Sequence, residues 1–393
     1  MNNVIVIGKN YAITLGVIRA LGEANYHTKL IGLSKYTGII AGKSKYITDT
    51  VTLLSNQTGT PDFEELFCAM ETMRGKEDRI LVIPLHDATC MVLDQHASQL
   101  ELHYDIPKTL NNHKNLSYYM DKSIQKELAQ RCGLLTAQGK KYNINIDEET
   151  HNIYKEVVFP CFFKALFSAE MIGAKNLLTK CSNENDLETA IEKAHEGKCD
   201  NVLIEEFLPI DKELTAYGVA ANGEVYIPAC MEALRGGYSD HKGVAAEGVV
   251  KSAQCLGDTK DKLKKFVKEI ALEGLFCIDL IQSHGQLYFS EINLRGGGSG
   301  YGITLAGANL PGTLADIKYK NSQYGPDDIR QEVHFLNEMI EFEGYTDGYI
   351  SLEDYKKHMS GGQSRFVKNK SDPAPWKEFK KLVIKRKIAK LLK

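Results

Sequence analysis

The segment Leu275–Arg295 constrains the fold of this chain more than any other, because it predicts a β-hairpin that carries acidic residues on one face. Two apolar runs flank a polar Ser-His-Gly-Gln stretch, a pattern typical of two antiparallel strands joined by a turn. A three-residue loop, residues 284–286, places Asp279 directly across from Glu291. Side chains alternate between the two faces of a strand, so Asn293 lies on the same face as Glu291.

Two carboxylates that face each other across paired strands repel one another unless a cation lies between them. Carboxylate and amide oxygens converging from neighbouring strands are ligands that suit Mg²⁺, above all Mg²⁺ that also holds nucleotide phosphates. We therefore predict that Asp279, Glu291 and Asn293 form a site for Mg²⁺ or Mn²⁺. The alternative is a surface hairpin whose acids are solvated.

The bulk properties of the 393-residue chain limit the classes of protein that can contain this hairpin. With 43% hydrophobic and 25% charged residues, the composition is that of a globular protein of about two to four domains. A net charge of −3 does not favour nucleic acid, and no apolar run approaches the roughly 18 residues of a membrane span. Nine cysteines without a C-x-x-C pair argue against zinc and for a reducing, cytoplasmic location. The first residues indicate a strand, not a signal peptide.

The beginning of the chain has the pattern of a wound α/β domain. Apolar segments 3–8 and 28–33 enclose a helical segment, 12–23, which is the βαβ opening of a parallel sheet. His86 and Asp87 follow a later apolar strand at its C-terminal end, where ligands of open α/β sheets collect. They are candidates for substrate contact. An equally weighted alternative makes Asp87 a helix N-cap beside a bystander His86.

Three consecutive parts follow from the pattern of elements. Residues 1–110 form the wound parallel-sheet domain. Residues 111–320 mix strands and helices with antiparallel hairpins, which predicts an α+β architecture. Residues 321–393 are helical and increasingly basic. The predicted fold class is therefore α/β and α+β.

Polar residues recur along the α+β part in an order that resembles the ATP-grasp superfamily of carboxylate–amine ligases. The motifs that carry the resemblance are Asp121-Lys122 at a helix start, Lys164 after an apolar strand, Glu205-Glu206-Phe207-Leu208, and Glu291-Ile-Asn293-Leu-Arg295. The set is most similar to D-aspartate ligase-like and carbamoyl-phosphate-synthase-like enzymes. The resemblance implies a pre-ATP-grasp domain, a two-lobed ATP-grasp domain with lobes at about 118–205 and 206–315, and a helical C-terminal extension.

The resemblance also implies a role for each motif residue. The implied ATP-binding residues are Lys122 and Lys164 at the phosphates, Glu205, Glu206, Phe207 and Leu208 at the adenine, and Glu213 at the ribose. The implied metal ligands are Asp279, Glu291 and Asn293, and the implied catalytic residues are Arg295 and Arg235. Taken alone, Lys122 is more simply a solvated surface lysine, and the acid pair an edge strand with one wet face. Residues 167–175 occupy the place of a phosphate-covering lid, but they are poor in glycine.

The function that the resemblance implies is ATP-dependent ligation. ATP activates a small-molecule carboxylate as an acyl-phosphate, and an amine then attacks to form an amide or peptide bond. The carboxylate is expected to be an amino acid that is joined to a cell-envelope precursor or a small peptide. The alternatives are a carboxylase or carbamoyl-phosphate-type enzyme, and a nucleotide-binding regulator without catalysis. A homodimer is also predicted.

The C-terminal residues 376–393 predict a basic amphipathic helix. Its apolar stripe consists of Ile384, Ile388, Leu391 and Leu392. Such a helix, with Trp376 as interfacial anchor, suits peripheral contact with an anionic membrane at the inner face. The alternative is that the stripe docks on the body of the protein or on a partner subunit.

Overall fold

The N-terminal part of the chain forms a five-stranded parallel sheet covered by helices. The computed structural model of the protein describes residues 2–53, 60–167, 177–238, 244–322 and 325–391. The elements of this part are β1 (Asn3–Gly8), α1 (Tyr11–Glu23), β2 (His27–Gly32), α2 (Lys35–Ile40), β3 (Ile47–Thr52), α3 (Phe63–Arg74), β4 (Ile80–Pro84), α4 (Asp87–Gln95), α5 (Ala97–Leu100) and β5 (Tyr104–Asp105). The strand order β3-β2-β1-β4-β5 places a topological switch between β1 and β4, and ligands of such sheets bind at that point.

A small lobe follows, built on a four-stranded sheet in the order β10-β9-β11-β8. The short strand β6 (Lys108–Thr109), α6 (Lys122–Arg131) and β7 (Leu135–Thr136) precede it, and its own elements are β8 (Gly139–Asn143), α7 (Asp147–Glu156), β9 (Cys161–Ala165), β10 (Thr179–Cys181), α8 (Glu184–Glu196) and β11 (Asn201–Glu206). The Asp121 carboxylate accepts hydrogen bonds from the backbone amides of Ser123 and Ile124 and so fixes the start of α6. The predicted lid, 167–175, lies outside the described residues beyond Phe167.

The largest sheet runs through the rest of the chain in the order β18-β17-β14-β13-β12-β15-β16-β7, and β6 pairs with β15 beside it. Its elements before the C-terminal part are β12 (Lys212–Ala221), β13 (Glu224–Gly236), β14 (Ala245–Ser252), α9 (Thr259–Ile270), β15 (Leu272–Ser283), β16 (Gln286–Asn293), α10 (Gly300–Leu305) and α11 (Leu310–Lys320). Apolar side chains of α9 and β15 pack together on one face. The other face packs on α10, α11 and the N-terminal domain.

The hairpin β15–β16 has the predicted pairing but reaches it by a different route. Its loop has two residues, His284 and Gly285, because Ser283 pairs with Gln286. Both loop residues have positive φ, 48° and 76°, as two-residue hairpin turns of this twist require. A bulge at Ser290 then restores the register, so that Asp279 lies opposite Glu291. The predicted three-residue loop is wrong, and the bulge cancels the error.

The C-terminal part completes the large sheet and is not a purely helical extension. Its elements are β17 (Val333–Leu336), α12 (Glu338–Thr346), α13 (Leu352–Ser360), β18 (Ser364–Arg365) and α14 (Ala374–Leu391). β17 pairs with β14, and β18 pairs with β17. The fully buried Arg19 of α1 holds the segment before α14, because it donates to Asp372 at 3.0 Å and to the carbonyls of Phe366 and Val367.

The first half of α14 docks on the body of the protein. Phe379 is fully buried, and Trp376 stacks on it at a centroid distance of 5.4 Å. Trp376, the predicted membrane anchor, is thus half-buried against the body of the protein, whereas Ile384 of the predicted stripe is 57% exposed. No helix among the described residues is long and apolar enough to cross a membrane.

Candidate active site

The acidic face of the β15–β16 hairpin is the centre of the site. Asp279 accepts hydrogen bonds from the Thr215 hydroxyl at 2.8 Å and from the Asn293 amide at 3.1 Å. Glu291, on the neighbouring strand, pairs with the Lys122 ammonium at 3.0 Å. The structure thus brings together the three residues that the sequence predicts as metal ligands. Thr215 of β12 also belongs to the site. Its position opposite Asp279 follows only from strand pairing.

The two opposed carboxylates have different charge properties. Burial and the charge of Glu291 raise the pKa of Asp279 to about 7. Burial acts in the same direction on Glu291, but the Lys122 ammonium outweighs it and holds the pKa of Glu291 below its ordinary value. Near neutral pH, Asp279 is therefore protonated in part of the molecules and ionised in the rest, whereas the neighbouring Glu291 is ionised.

These residues fit a divalent cation that also binds phosphate. A cation between Asp279 and Glu291 would relieve the repulsion that raises the pKa of Asp279. No group of three or more His, Cys, Asp or Glu side chains in the described parts of the chain is arranged to hold a metal. Two carboxylates and an amide are few protein ligands, which suits Mg²⁺, since this ion usually keeps phosphate and water oxygens in its shell.

Lys122 lies against the acidic face and is not a solvated surface lysine. Burial lowers the pKa of Lys122, but Glu291 more than compensates and raises it above the ordinary value. The backbone amide of Lys122 donates to the carbonyl of Leu166, which ties α6 to the end of β9. The lysine therefore stays charged where the sequence predicts a phosphate contact.

A buried triad of charges lies beside Lys122 in the small lobe. Glu205 of β11 pairs with Lys164 of β9 at 2.6 Å and with Lys126 of α6 at 2.8 Å. Side-chain exposure is 10% or less for all three residues. Both carboxylate oxygens of Glu205 are thus already paired with lysines, and the predicted adenine contact through this side chain would share them. The sequence interpretation missed Lys126, although it follows Lys122 by one helical turn and so shares its face.

The predicted adenine segment follows at the end of β11, where the small lobe meets the large sheet. Glu206 points to the other face, as strand alternation predicts, and accepts from the Gln138 amide at 2.7 Å. The Phe207 ring lies 4.0 Å from the Lys180 ammonium, and Leu208 is half-buried beside it. Glu213, predicted for the ribose, is exposed on β12. It shares the face of Thr215, two residues along the strand, and therefore the face of Asp279.

Arg295 joins the acidic face to the N-terminal domain. Its guanidinium forms a two-pronged ion pair with Asp87, with distances of 2.8 and 3.1 Å, and lies 3.4 Å from the Asn293 side-chain oxygen. Asp87 is the first residue of α4, and His86 is its N-cap, so the predicted alternative with Asp87 as N-cap is wrong. Burial and the nearby Lys9 lower the pKa of His86 to about 4, and its Nδ1 has no hydrogen-bond partner among the described residues.

Arg235 lies in a different group of charges. It pairs with Glu341 of α12 at 2.5 Å and with Glu247 at 3.4 Å, and it donates to the Tyr238 hydroxyl at 2.7 Å. None of its described contacts is with Arg295 or with the acidic face. The predicted catalytic role of Arg235 is therefore not supported by a direct contact with the other site residues.

The chain is similar to several known proteins. Residues 128–312 match the family model of the ATP-grasp domain. The chain is 27% identical over 251 residues to formate-dependent phosphoribosylglycinamide formyltransferase of Bacillus subtilis (strain 168), a match covering 61% of this chain and 60% of that protein. It is 25% identical over 289 residues to the protein of the same name from Flavobacterium psychrophilum, covering 71% and 72%. The chain thus spans 60% and 48% of the length of the first two curated relatives.

Solved structures show the same architecture. N5-carboxyaminoimidazole synthetase from Staphylococcus aureus, complexed with ADP, superposes with a TM-score of 0.65 at 14% identity, covering 91% of this chain and 86% of that one. The L-amino acid ligase from Bacillus licheniformis superposes with a TM-score of 0.62 at 13% identity, covering 85% and 79%. At these identities the likeness concerns the fold alone. It confirms the predicted combination of an N-terminal parallel sheet with a two-lobed α+β domain.

Proposed function

We propose that this chain, which belongs to the ATP-grasp superfamily as its sequence predicts, is an ADP-forming carboxylate–amine ligase. The predicted cofactors, ATP with Mg²⁺, are those of the superfamily. The observation that carries the proposal is the acidic face itself. Asp279, Glu291 and Asn293 converge on one surface, with Lys122 and Arg295 in contact with it. Metal ligands and cationic side chains therefore lie side by side, as the transfer of a phosphoryl group to a substrate carboxylate requires.

In the proposed reaction, the γ-phosphoryl group of ATP passes to an oxygen of the substrate carboxylate. A new O–P bond forms as the bond between the γ-phosphorus and the ADP oxygen breaks. The amine nitrogen then attacks the acyl carbon, the C–O bond to phosphate breaks, inorganic phosphate leaves, and the amine loses a proton to solvent. Little covalent chemistry falls to the protein, which positions the reactants and stabilises charge.

The residues of this chain have separate tasks in that scheme. Asp279, Glu291 and Asn293 would hold Mg²⁺ or Mn²⁺, which neutralises charge on the phosphate oxygens when bound. Lys122 and Lys164 supply positive charge to the nucleotide phosphates. Arg295 orients the carboxylate and stabilises the oxyanion that develops on attack, as fixed cationic donors do in water-poor sites.

The test is a hydroxylamine capture assay with ATP, Mg²⁺ and a panel of carboxylates. Hydroxylamine replaces the unknown amine and converts an acyl-phosphate to a hydroxamate. We expect ADP, inorganic phosphate and hydroxamate in equal amounts, with ¹⁸O from the labelled carboxylate appearing in the phosphate. Release of AMP and pyrophosphate would instead indicate an acyl-adenylate and contradict the mechanism.

Formate is a second candidate for the carboxylate, because the curated relatives that match this chain are named formate-dependent formyltransferases. It therefore belongs in the panel, together with bicarbonate as the substrate of a carboxylase. A product that contains the carbon of labelled bicarbonate would support the carboxylase alternative.

Assembly and location are further proposals. A homodimer is expected, since one solved structure of the same fold, a biotin carboxylase domain, is described as a dimer. Analytical ultracentrifugation of the full chain tests this expectation. A cytoplasmic location is expected from the cysteines of the sequence, and the side of α14 around Ile384 is an exposed surface on which the predicted membrane contact can be tested.

A further inference from the structure

A cleft opens beside the acidic face and has a charged wall and an apolar wall. The charged wall consists of Asp87, Lys122, Glu291 and Asn293. The apolar wall includes Met91 of α4 and Met120, which precedes α6. A polar patch for positioning and an apolar patch for affinity is the usual composition of a small-molecule site.

Asp87 of the charged wall is paired with Arg295, a neighbour outside the cleft lining, so two opposite charges adjoin the cleft. Asp87 and the Arg295 guanidinium form a two-pronged pair, and both side chains keep about a fifth of their surface exposed, 22% and 19%. The carboxylate and the ammonium of an α-amino acid match these two charges in sign. Arg295 also lies 3.4 Å from the Asn293 oxygen, so a carboxylate held there would adjoin the face to which the phosphoryl group is brought.

The apolar wall lies one helical turn from the charged group. Met91 follows Asp87 by four residues on α4, so the two side chains share one face of that helix. Met91 and Met120 are both half-buried, and a methionine side chain adapts its shape to aliphatic ligands. An amino acid with its ammonium at Asp87 would therefore direct its side chain along these two thioethers.

The same cleft disfavours a substrate with an acidic side chain. Lys122, the lysine in its wall, is already paired with Glu291. The amide of the adjoining Gln125 is used in full, because it donates to the carbonyls of Tyr119 and Ile292 and accepts from the Ile292 amide. Among the described residues that line the cleft, no cationic side chain is left for a second carboxylate. An acidic amino acid such as aspartate therefore does not suit this arrangement.

We infer that this cleft is the acyl-substrate site and takes an α-amino acid with an apolar side chain. The ammonium binds Asp87, the carboxylate lies beside Arg295, and the side chain packs on Met91 and Met120. This inference rests on the proposed ligase function and narrows its substrate class. Met91 and Met120 then determine specificity without touching the reacting atoms.

The first test uses the wild-type protein and the hydroxylamine assay. Both enantiomers of leucine, methionine and glutamate are compared with 4-methylpentanoate, which is leucine without its amino group. We expect kcat/KM for leucine or methionine to exceed that for glutamate and for 4-methylpentanoate by roughly 100-fold, since a site built around a polar group rejects the analogue that lacks it. Glutamate or 4-methylpentanoate turned over as well as leucine would overturn the inference.

The second test uses matched variants. Met91→Gln keeps the length of the side chain but makes its end polar, and it should lower kcat/KM for leucine about 10- to 100-fold while changing kcat/KM for alanine little. Met359→Gln, on α13 and outside the cleft lining, is the control and should change neither value. Asp87→Asn should shrink the preference for leucine over 4-methylpentanoate. Equal effects of Met91→Gln on leucine and alanine would contradict the role of Met91.

The outcomes separate this inference from the proposed function. If formate or another carboxylate without an amino group yields ADP and hydroxamate while the apolar amino acids do not, the cleft has been assigned wrongly and the ligase function stands. If no carboxylate in the panel yields ADP, the proposed ligase function itself is refuted.

Discussion

Asp279→Asn should stabilise the protein in the absence of metal, although it removes a residue of the active site. In the folded chain, burial and the charge of Glu291 raise the pKa of Asp279 from 3.8 to about 7. At 1.36 kcal/mol for each unit of pKa, ionised Asp279 opposes folding by about 4 kcal/mol. Asparagine removes that penalty but cannot keep both hydrogen bonds, from Thr215 and Asn293, and the loss costs about 1–2 kcal/mol. A net gain of about 2 kcal/mol remains.

The sign of the effect depends on pH. Below about pH 4 the carboxyl group is protonated in both folded and unfolded chains, so the penalty is absent. It grows as the pH rises between the unfolded and the folded pKa, and it is complete above about pH 7. The advantage of the variant should therefore appear between about pH 4 and pH 7 and stay constant at higher pH.

Thermal melting in EDTA and in excess Mg²⁺ with ADP measures this effect. At about pH 8 in EDTA, Asp279→Asn should melt a few degrees above the wild type, and Mg²⁺ with ADP should protect the wild type but not the variant. Glu291→Gln is the matched comparison and should shift the melting point the other way, because it leaves the buried Lys122 ammonium without its partner. A lower melting point for Asp279→Asn in EDTA, or undiminished protection by Mg²⁺, would refute the reasoning.

Three further outcomes are expected from the described contacts. Glu205→Gln should lower the free energy of unfolding by about 3 kcal/mol, because two buried lysines lose their shared counter-charge, and ATP should restore part of the loss in a melting assay. Asp372→Asn should cost about 3 kcal/mol by denaturant titration, since Arg19 is fully buried, and an unchanged midpoint would contradict that ion pair. Trp376→Ala should lower the melting point without changing sedimentation with phosphatidylglycerol vesicles, because the ring packs on the body of the protein.

The acidic face could be predicted because its information is local. Asp279, Glu291 and Asn293 lie within fifteen residues of one another on one hairpin, so alternation and pairing determine which side chains share a face. The turn and the bulge could not be predicted, because a two-residue loop with a bulge and a three-residue loop without one give the same pairing for Asp279. The predicted metal site is therefore the same with either type of loop.

Contacts between distant segments could not be predicted from strand and helix patterns. Arg295 and Asp87 are separated by 208 positions, and each had a separate local explanation in the sequence, Arg295 as a motif residue and Asp87 as a substrate contact or a helix cap. The pairing of Glu205 with Lys126 and Lys164 needs the relative placement of α6, β9 and β11. The order of the motifs identified several of these residues as site residues. Only the packing of the lobes shows which charged side chains pair with each other.

Arg235 shows how such a distant contact changes a predicted role. Glu341 is fully buried, and its described partners are Arg235 at 2.5 Å, His358 Nδ1 at 2.7 Å and the Tyr238 hydroxyl at 3.4 Å. Glutamine in place of Arg235 would take the guanidinium away from that buried carboxylate, which costs about 3–5 kcal/mol for a broken buried pair. Arg235→Gln should therefore lower the melting point by several degrees along with the rate of ligation. A variant that melts like the wild type but has lost ligation would show instead that Arg235 acts on the substrate, as the resemblance implies, and that its pairing with Glu341 contributes little to folding.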